Sequence, residues 1–116
     1  MNEYQFNQVT AHEYEIIILC TEVMQRNINC FDDLKGRLLV GGSIEKTILH
    51  LKERQLLSQV EFLSTLHSIE LCALALRNLE SINPNDLRKI KPHKKVIWGL
   101  HKTYGTLLYM FEPSLL

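Results

Sequence analysis

The chain has 116 residues, 46% of them hydrophobic and 22% charged, and its 13 basic residues balance 13 acidic ones. This length and apolar content exclude intrinsic disorder and predict a single domain over residues 1–116 that can bury its own core. No uncharged apolar run reaches the roughly 18 residues that cross a bilayer, and no lysine or arginine precedes Arg26, so we expect neither a membrane span nor a signal peptide. Three widely spaced cysteines argue against a disulfide framework and favour a reducing, cytoplasmic environment.

The beginning of the chain predicts a short arm and then a helix. Residues 1–9 have no clear period and are expected to form a loose N-terminal arm. The spacing of Thr10 and Glu13 is that of a capping box, and it predicts a helix that runs to about Arg26. Its expected inward positions are Tyr14, Ile17, Cys20 or Ile18, Val23 or Met24, and Ile28.

Two further helices are predicted before residue 53. Residues 31–40 have apolar side chains at helical spacing, and Gly41 and Gly42 would end that short helix. Ser43 can cap the next helix. The expected apolar stripe of that helix consists of Ile44, Thr47, Ile48 and Leu51.

The pattern over residues 59–82 predicts the central helix of the fold. Ser58 and Glu61 repeat the capping-box spacing and indicate a break near Leu57, although one continuous helix over residues 44–82 is the alternative. Apolar residues cover more than half of this helix, which is typical of a helix with neighbours on several sides. Its main stripe consists of Phe62, Leu66, Ile69, Ala73 and Leu76.

Two prolines divide the remainder of the chain. Asn83 and Pro84 predict the start of a short helix that ends near Ile90. Pro92 predicts the start of a last helix that continues to about residue 111. The predicted fold is therefore all-α, a compact bundle of about four principal helices joined by short turns.

The charges are unevenly distributed along the chain. Residues 1–33 carry six acids and one base, whereas residues 81–116 carry six bases and two acids. Clustered cations with an interleaved aromatic can bind phosphates and stack on bases. The same segment could instead form an ordinary solvated face that pairs with the acidic first helix. The candidate binding residues for nucleic acid or an acidic partner are Arg88, Lys89, Lys91, Lys94, Lys95, Trp98 and Lys102.

The sequence contains little that is typical of catalysis or metal binding. No HxxH, HExxH or CxxC spacing occurs, and no serine lies in a nucleophile elbow, so we expect no metal, no cofactor and no catalytic residue. Arg88 and His93 have the RxxxxH spacing and resemble the motif of HEPN-type ribonucleases. The resemblance implies a phosphate-stabilising role for Arg88 and a general acid/base role for His93 in RNA cleavage. The same six residues are also typical of a solvated basic turn.

A second resemblance concerns residues 39–48, which are similar to the start of the helix-turn-helix unit of small bacterial transcriptional regulators. That unit requires a tight turn about nine residues later, where residues 52–55 contain no glycine.

From these features we expect a small non-enzymatic regulatory or adaptor protein that binds a protein partner. The alternatives are a nucleic-acid-binding transcriptional regulator that uses residues 88–102, and a HEPN-like ribonuclease. No membrane partner is expected. The apolar positions of residues 59–82 and 96–111 exceed what a thin bundle readily buries, and this predicts a homodimer through one of these helices.

Overall fold

The computed structural model describes residues 3–30 and 44–111, and the side chains of residues 4–30 and 44–108. The protein is an all-α bundle, as predicted. Its principal helices are α1 (Ala11–Asn27), α2 (Ile44–Lys52), α3 (Gln59–Leu76) and α5 (Lys94–Phe111), and α4 (Pro84–Ile90) is a short helix between α3 and α5. Single 3-10 turns, Ile28–Cys30 and Lys91–His93, follow α1 and precede α5. The predicted helix over residues 31–40 lies outside the described residues.

Capping boxes begin both α1 and α3, as the sequence predicts. In α1 the Thr10 hydroxyl accepts from the Glu13 amide at 3.1 Å, and the Glu13 carboxylate accepts from the Thr10 amide at 2.8 Å. Ser58 and Glu61 form the same reciprocal pair at the start of α3. Each box satisfies two amides that the first helical turn leaves without a carbonyl partner. The predicted break near Leu57 is confirmed, because α2 ends at Lys52 and α3 begins as a separate helix at Gln59.

Helix α3 is the centre of the bundle. It packs against α1 and α5, and α2 and α4 also contact it. Its buried hydroxyls are compatible with an apolar setting because Ser64, Thr65 and Ser68 each donate to the carbonyl four residues earlier. Most of the apolar side chains of α3 are also buried within the chain. The homodimer was predicted because a thin bundle was not expected to bury the apolar positions of residues 59–82, and for α3 most of these positions are buried.

The predicted end of α3 at residue 82 is wrong, because the helix ends at Leu76. Asn78 adopts a left-handed conformation with φ 61°. The Leu79 amide then donates to the Leu74 carbonyl at 2.9 Å, and the Asn78 amide donates to the Ala75 carbonyl at 3.1 Å. This is a Schellman ending, which an asparagine can adopt in place of glycine. Arg77 consequently lies at the end of the helix.

The stripe predicted for α2 is confirmed: Ile44, Thr47, Ile48 and Leu51 are its buried residues. Helix α2 ends in the same way as α3, with Arg54 at φ 54°. The Gln55 amide donates to the His50 carbonyl at 2.9 Å. Neither left-handed position is a glycine, which is why the spacing of glycines in the sequence did not indicate these two turns.

The N-terminal arm is not loose over its described part, contrary to the prediction. Strand β1 (Glu3–Tyr4) pairs antiparallel with strand β2 (Leu57–Ser58). The Tyr4 ring stacks on Phe62 with centroids 4.9 Å apart, and Phe6 is buried against Phe62 and Tyr104. A two-residue strand has no detectable period, so only the aromatic contacts with α3 and α5 reveal why this segment is ordered.

Helix α4 is anchored to the end of α1 by a buried carboxylate. Asp86 accepts from Arg26 Nε and from Asn27 Nδ2, both at 2.8 Å. The Asn27 side-chain oxygen accepts from the Asn83 amide at 2.9 Å. Because α4 leads into α5 through Lys91–His93, these contacts also position the start of the basic segment.

Among the described residues, no helix is long and apolar enough to cross a membrane.

Candidate functional site

The basic segment is divided among three elements. Arg88 and Lys89 lie on α4, Lys91 lies in the 3-10 turn, and the remaining predicted residues lie on α5. All of the cationic side chains are exposed, whereas Trp98 is half-buried and packs against the core. The structure therefore does not gather the predicted residues into one cluster.

The two cations of α4 make local contacts at the start of their own helix. Arg88 donates to the side-chain oxygen of Asn85. Lys89 Nζ lies 3.9 Å from the Asp86 carboxylate, which Arg26 also contacts. Both side chains therefore contact residues in the first turn of α4, and these contacts are within the helix itself.

A groove lies along α5 beside the end of α3, and it includes two of the predicted residues. It has a volume of about 730 Å³ and is open to solvent. Three of the residues that line it carry or can acquire positive charge, and no acidic residue is among those described there. The lining residues are Arg77, Trp98, Gly99, His101, Lys102, Gly105 and Thr106.

Trp98 organises the cations at this groove. Lys94 Nζ lies 4.4 Å from the centroid of the indole ring, and Arg77 Cζ lies 5.4 Å from it. Both distances are within the range of cation–π attraction. The indole Nε1 is buried and has no hydrogen-bond acceptor among the described residues. Arg77, which lines the groove, is thus held beside the indole ring, and Lys94 contacts the same ring from outside the lining residues.

Two glycines of α5, Gly99 and Gly105, line the groove without a side chain. A Cβ atom added at Gly99 would meet nothing within 4 Å, so the space in front of this residue belongs to the groove. A Cβ atom added at Gly105 would approach the His101 ring at 3.7 Å. Glycine in a helix interior costs about 1 kcal/mol relative to alanine, and here it leaves the helix backbone accessible.

The acidic first helix does not neutralise this groove in the described part of the structure. Glu22 of α1 pairs with Lys52 of α2 at 3.3 Å, and Glu13 is occupied by its capping box. The ion pair that does join the two ends of the chain, Arg26 with Asp86, has the base on α1 and the acid on α4. No ion pair within residues 3–30 and 44–111 joins α1 to a lysine of residues 91–102.

The two family resemblances gain no geometric support. Arg88 is engaged by Asn85, and His93 instead lies beside His12 of α1, with ring centroids 5.8 Å apart. For the helix-turn-helix resemblance, residues 39–43 lie outside the described residues, six residues separate α2 from α3, and most of α3 is buried. Among the described residues, no three His, Cys, Asp or Glu side chains are grouped as metal ligands.

Sequence reasoning missed Arg77 and did not rank His101 as a site residue. Arg77 ends α3, and Trp98 and Lys102 follow on α5, so the sequence separates residues that the packing of α3 on α5 brings together. The sequence held no signal for this, because the end of α3 that exposes Arg77 has an asparagine, Asn78, in place of a glycine. Comparisons with protein-family models, with curated proteins and with solved structures find no match to this chain.

Proposed function

We propose that this protein acts by binding, without catalysis, and that its ligand is single-stranded nucleic acid held in the groove between Arg77 and Lys102. The observation that carries the proposal is the acid-free, cationic lining of this groove around Trp98 among the described residues. Phosphates supply negative charge at regular spacing, and unpaired bases supply flat surfaces that pack on an indole ring.

The orientation of the cations supports an anionic ligand. Lys94 and Arg77 are each held near the Trp98 ring, so each loses less side-chain freedom when a phosphate binds beside this ring. Single strands suit the site better than duplexes because the Trp98 ring is half-buried and would reach only bases that are not paired.

The test is fluorescence anisotropy of a labelled 20-nucleotide RNA, with duplex DNA of the same length for comparison. The test variant is Arg77→Gln with Lys102→Gln. The matched control, Lys46→Gln with Lys52→Gln, removes the same charge from α2, which does not line the groove.

The proposal expects binding of the single strand that weakens as salt rises. If both groove cations contact phosphates, the test variant lowers the slope of log affinity against log salt by about 1.4, at about 0.7 per contact. The control should leave the slope unchanged. Equal weakening by both variants would indicate attraction by overall charge, and absence of binding at low salt would overturn the proposal.

A protein partner is the second candidate, and it corresponds to an adaptor or regulator. It is favoured by three large apolar side chains that the described fold leaves in solvent: Leu79, and the pair Leu49 and Leu56, which are 52% and 48% exposed and lie in and just after α2. A partner that co-purifies with the wild type but not with Leu49→Ser and Leu56→Ser would support this function. Retention of the partner by that variant would argue against it.

A further inference from the structure

Two buried cysteines are neighbours in the main hydrophobic core, and neither lines the groove. Cys20 lies on α1 and Cys72 on α3, and both are fully buried within the main hydrophobic core. The Cys72 thiol lies 3.9 Å from the Cys20 carbonyl oxygen, to which it donates. This contact joins the Cys72 sulfur to the backbone of the residue that carries the other thiol.

This contact has the ingredients of a disulfide site. The two residues lie 52 positions apart in sequence but on helices that pack directly against each other. A disulfide requires the sulfur atoms to approach to about 2.05 Å. The Cys72 sulfur already lies 3.9 Å from the Cys20 carbonyl oxygen, and rotation of the two short side chains is the movement that would bring the sulfur atoms together.

We propose that Cys20 and Cys72 are an oxidation site at which a low-molecular-weight disulfide, such as oxidised glutathione, creates a covalent bond between α1 and α3. One cysteine thiolate attacks a glutathione sulfur and forms a mixed disulfide, and the released glutathione thiolate takes up the proton that the cysteine lost. The second cysteine then displaces the second glutathione in the same way. Two cysteine thiols are oxidised, and one glutathione disulfide is reduced to two thiols.

The environment of the pair makes this reaction slow in the intact fold. The interaction with the neighbouring Cys72 side chain, followed by burial, raises the pKa of Cys20 well above its usual range. Because the thiolate is the reactive form, the pair reacts when the contact between α1 and α3 opens locally. Cys30 is exposed and is expected to react first.

Folding and oxidation at this site support each other. The bond would close a loop that contains α2 and the connections on either side of it, which restricts the unfolded chain. By thermodynamic reciprocity, a disulfide that stabilises the fold is itself formed more readily in the folded chain than in the unfolded one. This reciprocity gives a measurement that does not depend on reaction rate.

The experiment uses full-length Cys30→Ser, in which Cys20 and Cys72 can form a single intramolecular disulfide. The protein is refolded in a series of glutathione redox buffers, quenched with acid, and the oxidised fraction is measured by mass spectrometry. A parallel series is equilibrated in concentrated urea. Wild-type protein with Cys30 alkylated under native conditions provides the second sample, which does not depend on the folding of a variant.

We expect the equilibrium constant for the disulfide to be at least about 30-fold larger in the folded chain than in urea, as for native disulfides that stabilise by a few kcal/mol. Cys30→Ser with Cys72→Ser should give only mixed disulfides with glutathione. An equilibrium constant in the folded chain that equals or falls below the value in urea would overturn the proposal. So would an oxidised product that has lost its helical circular dichroism.

Discussion

Asp86 is the contact through which α1 holds α4, and the Asp86→Ala variant measures how much the fold depends on it. The carboxylate is buried and accepts two hydrogen bonds of 2.8 Å, one from Arg26 and one from the Asn27 amide. Lys89 Nζ is more distant, at 3.9 Å. Removing the carboxylate leaves the Asn27 amide with the Val23 carbonyl as its remaining acceptor.

The size of the effect follows from the burial of each partner. The bond from Asn27 is buried and has a charged acceptor, so it contributes about 1.5–3 kcal/mol. The Arg26 side chain is 43% exposed, so solvent screening limits that pair to about 1 kcal/mol or less. A carboxylate in the first turn of α4 adds about 0.3–1 kcal/mol by interacting with the helix dipole. Asp86→Ala should therefore lower the free energy of unfolding by about 3 kcal/mol.

The measurement is equilibrium unfolding in urea, monitored by circular dichroism at 222 nm. Glu80→Ala is the control because Glu80 is an exposed acid near the same connection, and such changes usually shift stability by less than about 0.5 kcal/mol. Arg26→Ala should cost about 1 kcal/mol or less, which separates the exposed pair from the buried bond. A loss of less than about 1 kcal/mol for Asp86→Ala, at an unchanged urea slope, would refute the argument from burial.

Two further perturbations test local features of the fold. Ser58→Ala removes the capping hydroxyl that accepts from the Glu61 amide and should lower the free energy of unfolding by about 1 kcal/mol in the same urea assay, whereas no measurable change would contradict the capping box. Burial raises the pKa of the Tyr14 phenol, with a smaller opposing effect of Arg54, so the folded protein should lose stability above the unfolded pKa of about 10. Tyr14→Phe lacks the hydrogen bond to the Leu51 carbonyl, so it should be less stable than the wild type at neutral pH. Its free energy of unfolding should fall less than that of the wild type between pH 9 and pH 11.5. An identical alkaline decline in both proteins would contradict a raised pKa of Tyr14 as the cause.

The starting points of α1, α3 and α4 are local properties, and the sequence alone was sufficient to predict them. The capping boxes of α1 and α3 bring together atoms only three residues apart, so the spacing of Thr10 and Glu13 already contains the geometry. The same reasoning holds for Asn83 and Pro84 at the start of α4, and for the buried stripe of α2. An all-α bundle follows because each apolar stripe has to be covered by another helix.

The ends of helices and the role of the N-terminal arm were less predictable. The left-handed residue at the end of a helix is usually a glycine, but after α2 and α3 it is Arg54 and Asn78. The sequence therefore has no glycine that would indicate where these two helices end. Phe6 is buried because Phe62 and Tyr104, which are remote in sequence, form the surface that covers it. A nine-residue segment with no period gives no indication of such a contact.

The groove and the thiol pair are decided by tertiary structure. The sequence identified Trp98 and Lys102 as basic-segment residues, but it could not place Arg77 beside them, because only the packing of α3 against α5 brings these residues together. Cys20 and Cys72 were each recognisable as buried, yet their contact depends on the crossing of α1 and α3. Periodicity determines which face of a helix is buried, whereas the choice of facing residues depends on how the helices pack, and that arrangement is a property of the whole core.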